Sequence, residues 1–139
     1  MADTVDTEVL YNGTKRYTVR ITNVSDGTGE ASVTKVDRSS LIGPAGVAPS
    51  KLVVEELDFS IYGFKDVHLK WDDATDETIA VLSGDGWKDY RKAGGLVPDA
   101  APAALGDATG DILVTTNSGG TAEAVGDNYD ITLYLRLKA

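Results

Sequence analysis

The chain has 139 residues, of which 42% are hydrophobic and 25% charged, with no cysteine and a formal net charge of −9. This length and balance predict one compact domain, residues 1–139, and exclude an intrinsically disordered chain. Without cysteine the protein can use neither disulfides nor thiolate-bound zinc, and its surplus of acids repels phosphates, which disfavours nucleic acid as a partner.

Membrane and export signals are also missing from the sequence. No apolar run approaches the roughly 18 residues of a membrane-spanning helix. The start, Met1–Asp6, carries two acids and no apolar stretch typical of a secretion signal. We therefore expect no membrane partner, and assembly in a cytoplasm.

Short segments of alternating apolar and polar residues recur along the chain, and this pattern predicts β-strands. The first two strands, 8–11 and 16–22, are joined through Asn12-Gly13, a dipeptide that suits the positive φ angles of a hairpin turn. The inward row predicted for the second strand is Tyr17, Val19 and Ile21.

Residues 31–36 predict a third strand with an ambiguous face. Its inward row is either Ala31, Val33 and Lys35, or Val36 through a bulge. The prolines and glycines that follow exclude a central strand and predict a long surface loop over residues 42–50.

The middle of the chain predicts three more strands. Residues 52–62 form a longer strand with a bulge near Glu55-Glu56, residues 67–71 alternate cleanly, and residues 78–82 form a short apolar run. The inward residues of the second of these strands are Val67, Leu69 and Trp71. The segment Gly84–Gly86 predicts a turn into Trp87.

A second long loop, residues 93–110, contains Gly94-Gly95 and an Ala/Pro stretch, with one helical turn possible at 103–105. Two strands close the chain at 111–116 and 129–137, and the last alternates over nine positions. About eight strands with no amphipathic helix between them favour an all-β, single-domain antiparallel β-sandwich of the jelly-roll type.

Catalytic and metal-binding chemistry has few candidates here. His68 is the single histidine and lies on the polar face of a predicted strand, where it reads as a surface residue. No nucleophile, phosphate or zinc motif occurs. The weak candidates for an oxygen-ligated metal are Asp72, Asp73, Asp76 and Glu77, but the pattern favours an exposed turn between two strands. We expect no enzyme, cofactor or metal.

A set of motifs in the second half of the chain resembles small virion structural proteins of tailed bacteriophages. The residues that carry the resemblance are Leu69-x-Trp71-Asp72, Ile79-Ala80-x-Leu82-x-Gly84-x-Gly86, Gly94-Gly95-Leu96, Thr109–Thr116 without Val114, and Tyr129–Lys138 without Tyr134 and Leu137. Among such proteins the chain looks most like a capsid decoration, or cement, protein.

The resemblance implies a homotrimer on the outside of the capsid that bridges neighbouring copies of the major capsid protein. Its expected contact segments are an N-terminal arm, residues 1–7, and the loops 42–50 and 93–110. The expected interface residues are Val5, Ile42, Val47, Trp87, Tyr90, Arg91, Leu96 and Val97.

Two other functions remain open from the sequence. A tail, neck or connector protein would have the same composition and strands. A carbohydrate-binding module for host attachment would use exposed aromatic residues such as Trp87 and Tyr90 to stack on sugars, whereas Trp71 belongs to the core.

Overall fold

In a computed structural model, the chain is described over residues 4–25, 30, 33–49, 51–72, 77–97, 111–116 and 126–138. Nine strands and two short 3-10 helices, Arg38–Ser40 and Arg91–Ala93, occur in these ranges. The strands are β1 Thr4–Asn12, β2 Arg16–Val24, β3 Val33–Val36, β4 Lys51–Tyr62, β5 Val67–Trp71, β6 Glu77–Leu82, β7 Asp85–Asp89, β8 Ile112–Thr116 and β9 Asn128–Lys138.

The strands form two antiparallel sheets, ordered β1-β2-β9-β4-β7 and β3-β8-β5-β6. Apart from the β1–β2 and β5–β6 hairpins, each connection along the chain crosses from one sheet to the other. With β1 set aside, four strands of each sheet face each other in the order of a jelly roll. The predicted all-β sandwich of jelly-roll type is therefore confirmed.

Period-two burial builds the core as the sequence predicts. Along β2 and β9 every second residue is buried, and the two strands pair in register from Arg16↔Arg136 to Val24↔Asn128. In β5 the inward row is Val67, Leu69 and Trp71, as predicted. The predicted bulge in β4 is present as a register shift between Val54 and Glu56.

The third strand follows the bulge alternative. The β3–β8 register shifts between Thr34 and Val36, and Val36 is buried in the core. Val33 is exposed, so the prediction that it faces the core is wrong. The Lys35 side chain points inward as well, which the bulge allows because it turns two successive side chains out of strict alternation.

The first hairpin forms without the predicted positive φ at Gly13. Asn12 pairs with Tyr17, and the Gly13 N–H donates to the Arg16 carbonyl at 2.9 Å. A Cβ at this position would lie 2.8 Å from Cε1 of the exposed Tyr11 ring, so a larger residue would require that side chain to move.

Two predicted boundaries are wrong. The N-terminal arm is strand from Thr4 onward, since residues 4–7 pair with Val24 to Ile21 of β2, while residues 1–3 lie outside the described ranges. The Gly84–Gly86 turn leads into an additional strand, β7, which pairs with Glu56–Ser60 of β4 and raises the number of described strands to nine.

The described parts of both long predicted loops lie toward one end of the sandwich, which we call the loop end. There β4 begins opposite the last residues of β9, and β8 begins opposite the last residues of β3 and β5. Hydrogen bonds from Arg38 to the Pro49 carbonyl and the Asp111 carboxylate, at 2.6 and 2.8 Å, connect the segments there. In the described part of the chain no helix is long and apolar enough to cross a membrane.

Candidate functional site

The weak candidates for catalysis and metal binding do not converge in the described part of the chain. His68 is half-buried on the outer face of β5, between Thr115 of β8 and Val81 of β6. Its Nε2 lies 3.5 Å from Oδ1 of Asp66, so a carboxylate is near the imidazole, but beyond ordinary hydrogen-bond length. His68 therefore stays a surface-face residue with an acidic neighbour.

The acidic turn is described only at its two edges. Asp72 and Glu77 lie at the ends of β5 and β6 that this segment connects and are half-buried, and the Asp72 N–H donates to the Asp111 carbonyl at 2.9 Å. Asp73 and Asp76 lie outside the described ranges. No three His, Cys, Asp or Glu side chains in the ranges with coordinates could together hold a metal ion.

Four of the predicted interface residues lie in the loops of the loop end. Ile42 and Val47, in the loop after β3, are 59% and 65% exposed, and Val97 is also exposed. Leu96 is partly buried, because it forms an antiparallel bridge with Val54 through two 2.9 Å hydrogen bonds. The loop end thus combines irregular backbone with apolar side chains in solvent.

Gly95 fixes the path of the second loop where it leaves β7. It has a φ of +88°, and a Cβ there would lie 2.3 Å from Cγ1 of buried Val53. Only glycine lets the chain pack this closely over β4. Residues 98–110, with the predicted helical turn at 103–105, lie outside the described ranges.

Trp87, Tyr90 and Arg91 lie beside the β7 edge of the five-stranded sheet. Trp87 is 57% exposed, and its Nε1 donates to Oε2 of Glu56 at 3.1 Å. Arg91 contacts Glu56 at 3.1 Å and Asp89 at 2.8 Å. Hydrogen bonds from the Arg91 side chain, and then from its backbone N–H, lower the pKa of Asp89 to about 2, so this carboxylate is charged at neutral pH.

Val5 lies apart from the other predicted interface residues, on β1 at the opposite edge of the five-stranded sheet. It pairs with Asn23 and is 48% exposed. The structure therefore distributes the predicted contacts over three places: the loop end, the β7 edge and the β1 edge.

The sequence did not predict a buried polar cluster between the sheets. Its members are Asn23 of β2, Glu30, Lys35 of β3, Thr116 of β8 and Tyr129 of β9. The Lys35 and Glu30 side chains are only 4% and 5% exposed, with Nζ and Oε2 2.5 Å apart. The signal for it was a lysine at an inward position of the third predicted strand.

One glutamate organises this cluster. Oε1 of Glu30 accepts hydrogen bonds from Nδ2 of Asn23, at 2.8 Å, and from the Tyr129 hydroxyl. Its backbone is held to the end of β8, since the Thr116 N–H donates to the Glu30 carbonyl and the Glu30 N–H to Thr116 Oγ1, both at 2.9 Å. The carboxylate therefore has a fixed position between the two sheets.

No protein-family model and no curated protein matches the chain. Among solved structures, a cupin superfamily protein from Desulfitobacterium hafniense is similar, with a TM-score of 0.38 and 11% sequence identity. The alignment covers 100% of this chain and 82% of that one.

Proposed function

We propose that the chain is a structural, non-enzymatic virion protein of a tailed phage, which decorates the capsid and bridges neighbouring major capsid subunits as a trimer. The observation that carries the proposal is the loop end, where the described parts of both long connections lie and where Ile42, Val47 and Val97 expose apolar side chains. The jelly roll is a fold common among viral capsid proteins; this support is an analogy of fold.

The mechanism would be repeated interface burial. An interface of standard size buries about 1,600 Å². Three copies in one trimer, each holding a different capsid subunit, would make detachment of any single contact reversible and raise the barrier to shell opening. A net charge of −9 would disfavour binding to the negatively charged packaged DNA.

Electron microscopy of virions with and without the protein tests the location. We expect density to disappear at the local threefold positions of the head, and DNA to be released at a lower temperature. Loss of density from the tail or neck would instead support a connector role. An intact head surface with unchanged heat resistance would refute the decoration function.

A charge at the loop end should weaken capsid binding. In Ile42→Asp, a carboxylate replaces an exposed apolar side chain that would be desolvated at the interface. We expect a loss of about 2 kcal/mol, a roughly 30-fold higher Kd for protein-depleted heads. The matched control is Tyr62→Asp, because Tyr62 is 74% exposed but lies at the other end of β4. Equal losses from both variants would contradict a contact through the loop end.

Carbohydrate binding is a second candidate, favoured by the exposed indole of Trp87. Its ring is held by Glu56 on the outer face of the sheet, and an aromatic face beside a carboxylate suits the stacking and hydrogen bonding of a sugar. If this function holds, glycan-array binding should fall at least about tenfold in Trp87→Ala and stay unchanged in Tyr62→Ala. An array without any bound glycan would remove this candidate.

A further inference from the structure

The buried cluster around Glu30 brings together three groups that can react with one another: a lysine amine, an asparagine amide and a carboxylate that touches both. Oε2 of Glu30 lies 2.5 Å from Nζ of Lys35, and its Oε1 accepts the hydrogen bond from Nδ2 of Asn23. One carboxylate therefore holds the nucleophile and the leaving group side by side. The side chains of all three residues are almost completely buried.

We propose that this cluster forms an intramolecular isopeptide bond between Nζ of Lys35 and Cγ of Asn23, with Glu30 as the acid–base group. Lys35 belongs to β3 and Asn23 to β2, which lie in different sheets. The bond would therefore connect the two sheets of the sandwich covalently, at a position where the chain has no cysteine to form a disulfide.

The reaction needs no other reactant. Glu30 takes a proton from the Lys35 ammonium, and the neutral amine attacks Cγ of Asn23 to form a tetrahedral centre. Glu30 then passes this proton to Nδ2 and takes a second proton from Nζ, so that it ends as the neutral acid. The bond between Cγ and Nδ2 breaks, one ammonia leaves, and an amide between Cγ and Nζ remains. The hydrogens and charges balance, and nothing is oxidised or reduced.

The surroundings favour each step. The hydroxyl of Tyr129 donates to Glu30 Oε1, and the backbone bonds to Thr116 keep the carboxylate in place. Preorganisation of this kind replaces a bimolecular encounter by a unimolecular step.

The intact mass of the purified full-length protein tests the bond. After allowance for removal of Met1, we expect the mass to be lower than that of the sequence by one ammonia molecule. Peptide mapping should give one branched peptide that joins the segment of Asn23 to that of Lys35. A wild-type protein with the full sequence mass would overturn the proposal and leave a buried ion pair.

Matched variants separate this bond from other losses of ammonia. Lys35→Arg and Glu30→Gln should both keep the full mass, whereas Lys70→Arg, a lysine on the outer face of β5, should lose ammonia as the wild type does. Asn12-Gly13 can lose ammonia by cyclisation to a succinimide. A loss that persists in Lys35→Arg would have that origin and would refute the isopeptide bond.

Discussion

Replacing Lys35 by methionine should lower the free energy of unfolding by about 3–5 kcal/mol, because it removes both the cation beside the buried carboxylate of Glu30 and the nucleophile of the proposed bond between β2 and β3. Only 4% of the Lys35 side chain and 5% of that of Glu30 are exposed, so water cannot take over the role of the ammonium. Urea-induced unfolding, followed by circular dichroism, gives the difference between wild type and variant.

The double variant Lys35→Met/Glu30→Gln is the control for that measurement. Glutamine keeps an oxygen that can accept from Asn23 and Tyr129, and it removes the charge. We expect most of the lost stability to return, as when a buried ion pair is replaced by neutral groups of similar volume. The part of the lost unfolding free energy that is not restored measures the contribution of a covalent link between β2 and β3 to stability. If the free energy of unfolding of the single variant Lys35→Met lies within about 1 kcal/mol of that of the wild type, the result would contradict burial of the Lys35–Glu30 pair.

The strands that the sequence predicted best are those in which pattern and burial have the same cause. Along β2, β5 and β9 one face is buried and the other is not, so alternation in the sequence follows directly from the packing. The bulge in β4 was also predictable, because Val54 and Leu57 can both face the core only if one residue is inserted between them.

The strands at the edges of the large sheet could not be predicted in full. All described side chains of β1 and β7 are exposed, so packing imposes no alternation on their sequences. They form because the backbone groups of β2 and β4 offer hydrogen bonds along the whole strand. Trp87, which the sequence placed after a turn without assigning it to a strand, belongs to such a strand opposite Asp58.

The buried cluster was hidden from sequence reasoning for a different reason. Asn23 and Tyr129 are 106 positions apart, and Glu30 follows a Gly-containing segment, residues 26–29, whose sequence has no periodic pattern. The tertiary fold brings these side chains together. The pairing of β2 with β9 places Asn23 opposite Tyr129, and the hydrogen bonds between Thr116 and the Glu30 backbone place Glu30 beside them. Lys35 alone gave a signal, because a charged residue occupied a position that alternation turned inward.

The two tryptophans of the chain provide the last comparison. Trp71→Ala should lower the free energy of unfolding by about 3–5 kcal/mol, because it empties a large volume in the core. Trp71 is fully buried at the end of β5, with Ile112 and Glu77 as its partners on β8 and β6. Trp87→Ala should change stability by less than about 0.5 kcal/mol, since that indole is mainly in solvent.

The position of Trp71 also connects stability with the proposed capsid contact. The next residue, Asp72, donates its N–H to the carbonyl of Asp111, which precedes β8 at the loop end. A cavity at Trp71 should therefore loosen the start of β8 and weaken binding to phage heads even at temperatures where the variant is folded. The variant Trp71→Phe should retain most of the stability and most of the head binding. If urea unfolding gives equal stabilities for Trp71→Ala and Trp87→Ala, the packing of β5 against the core is not as described.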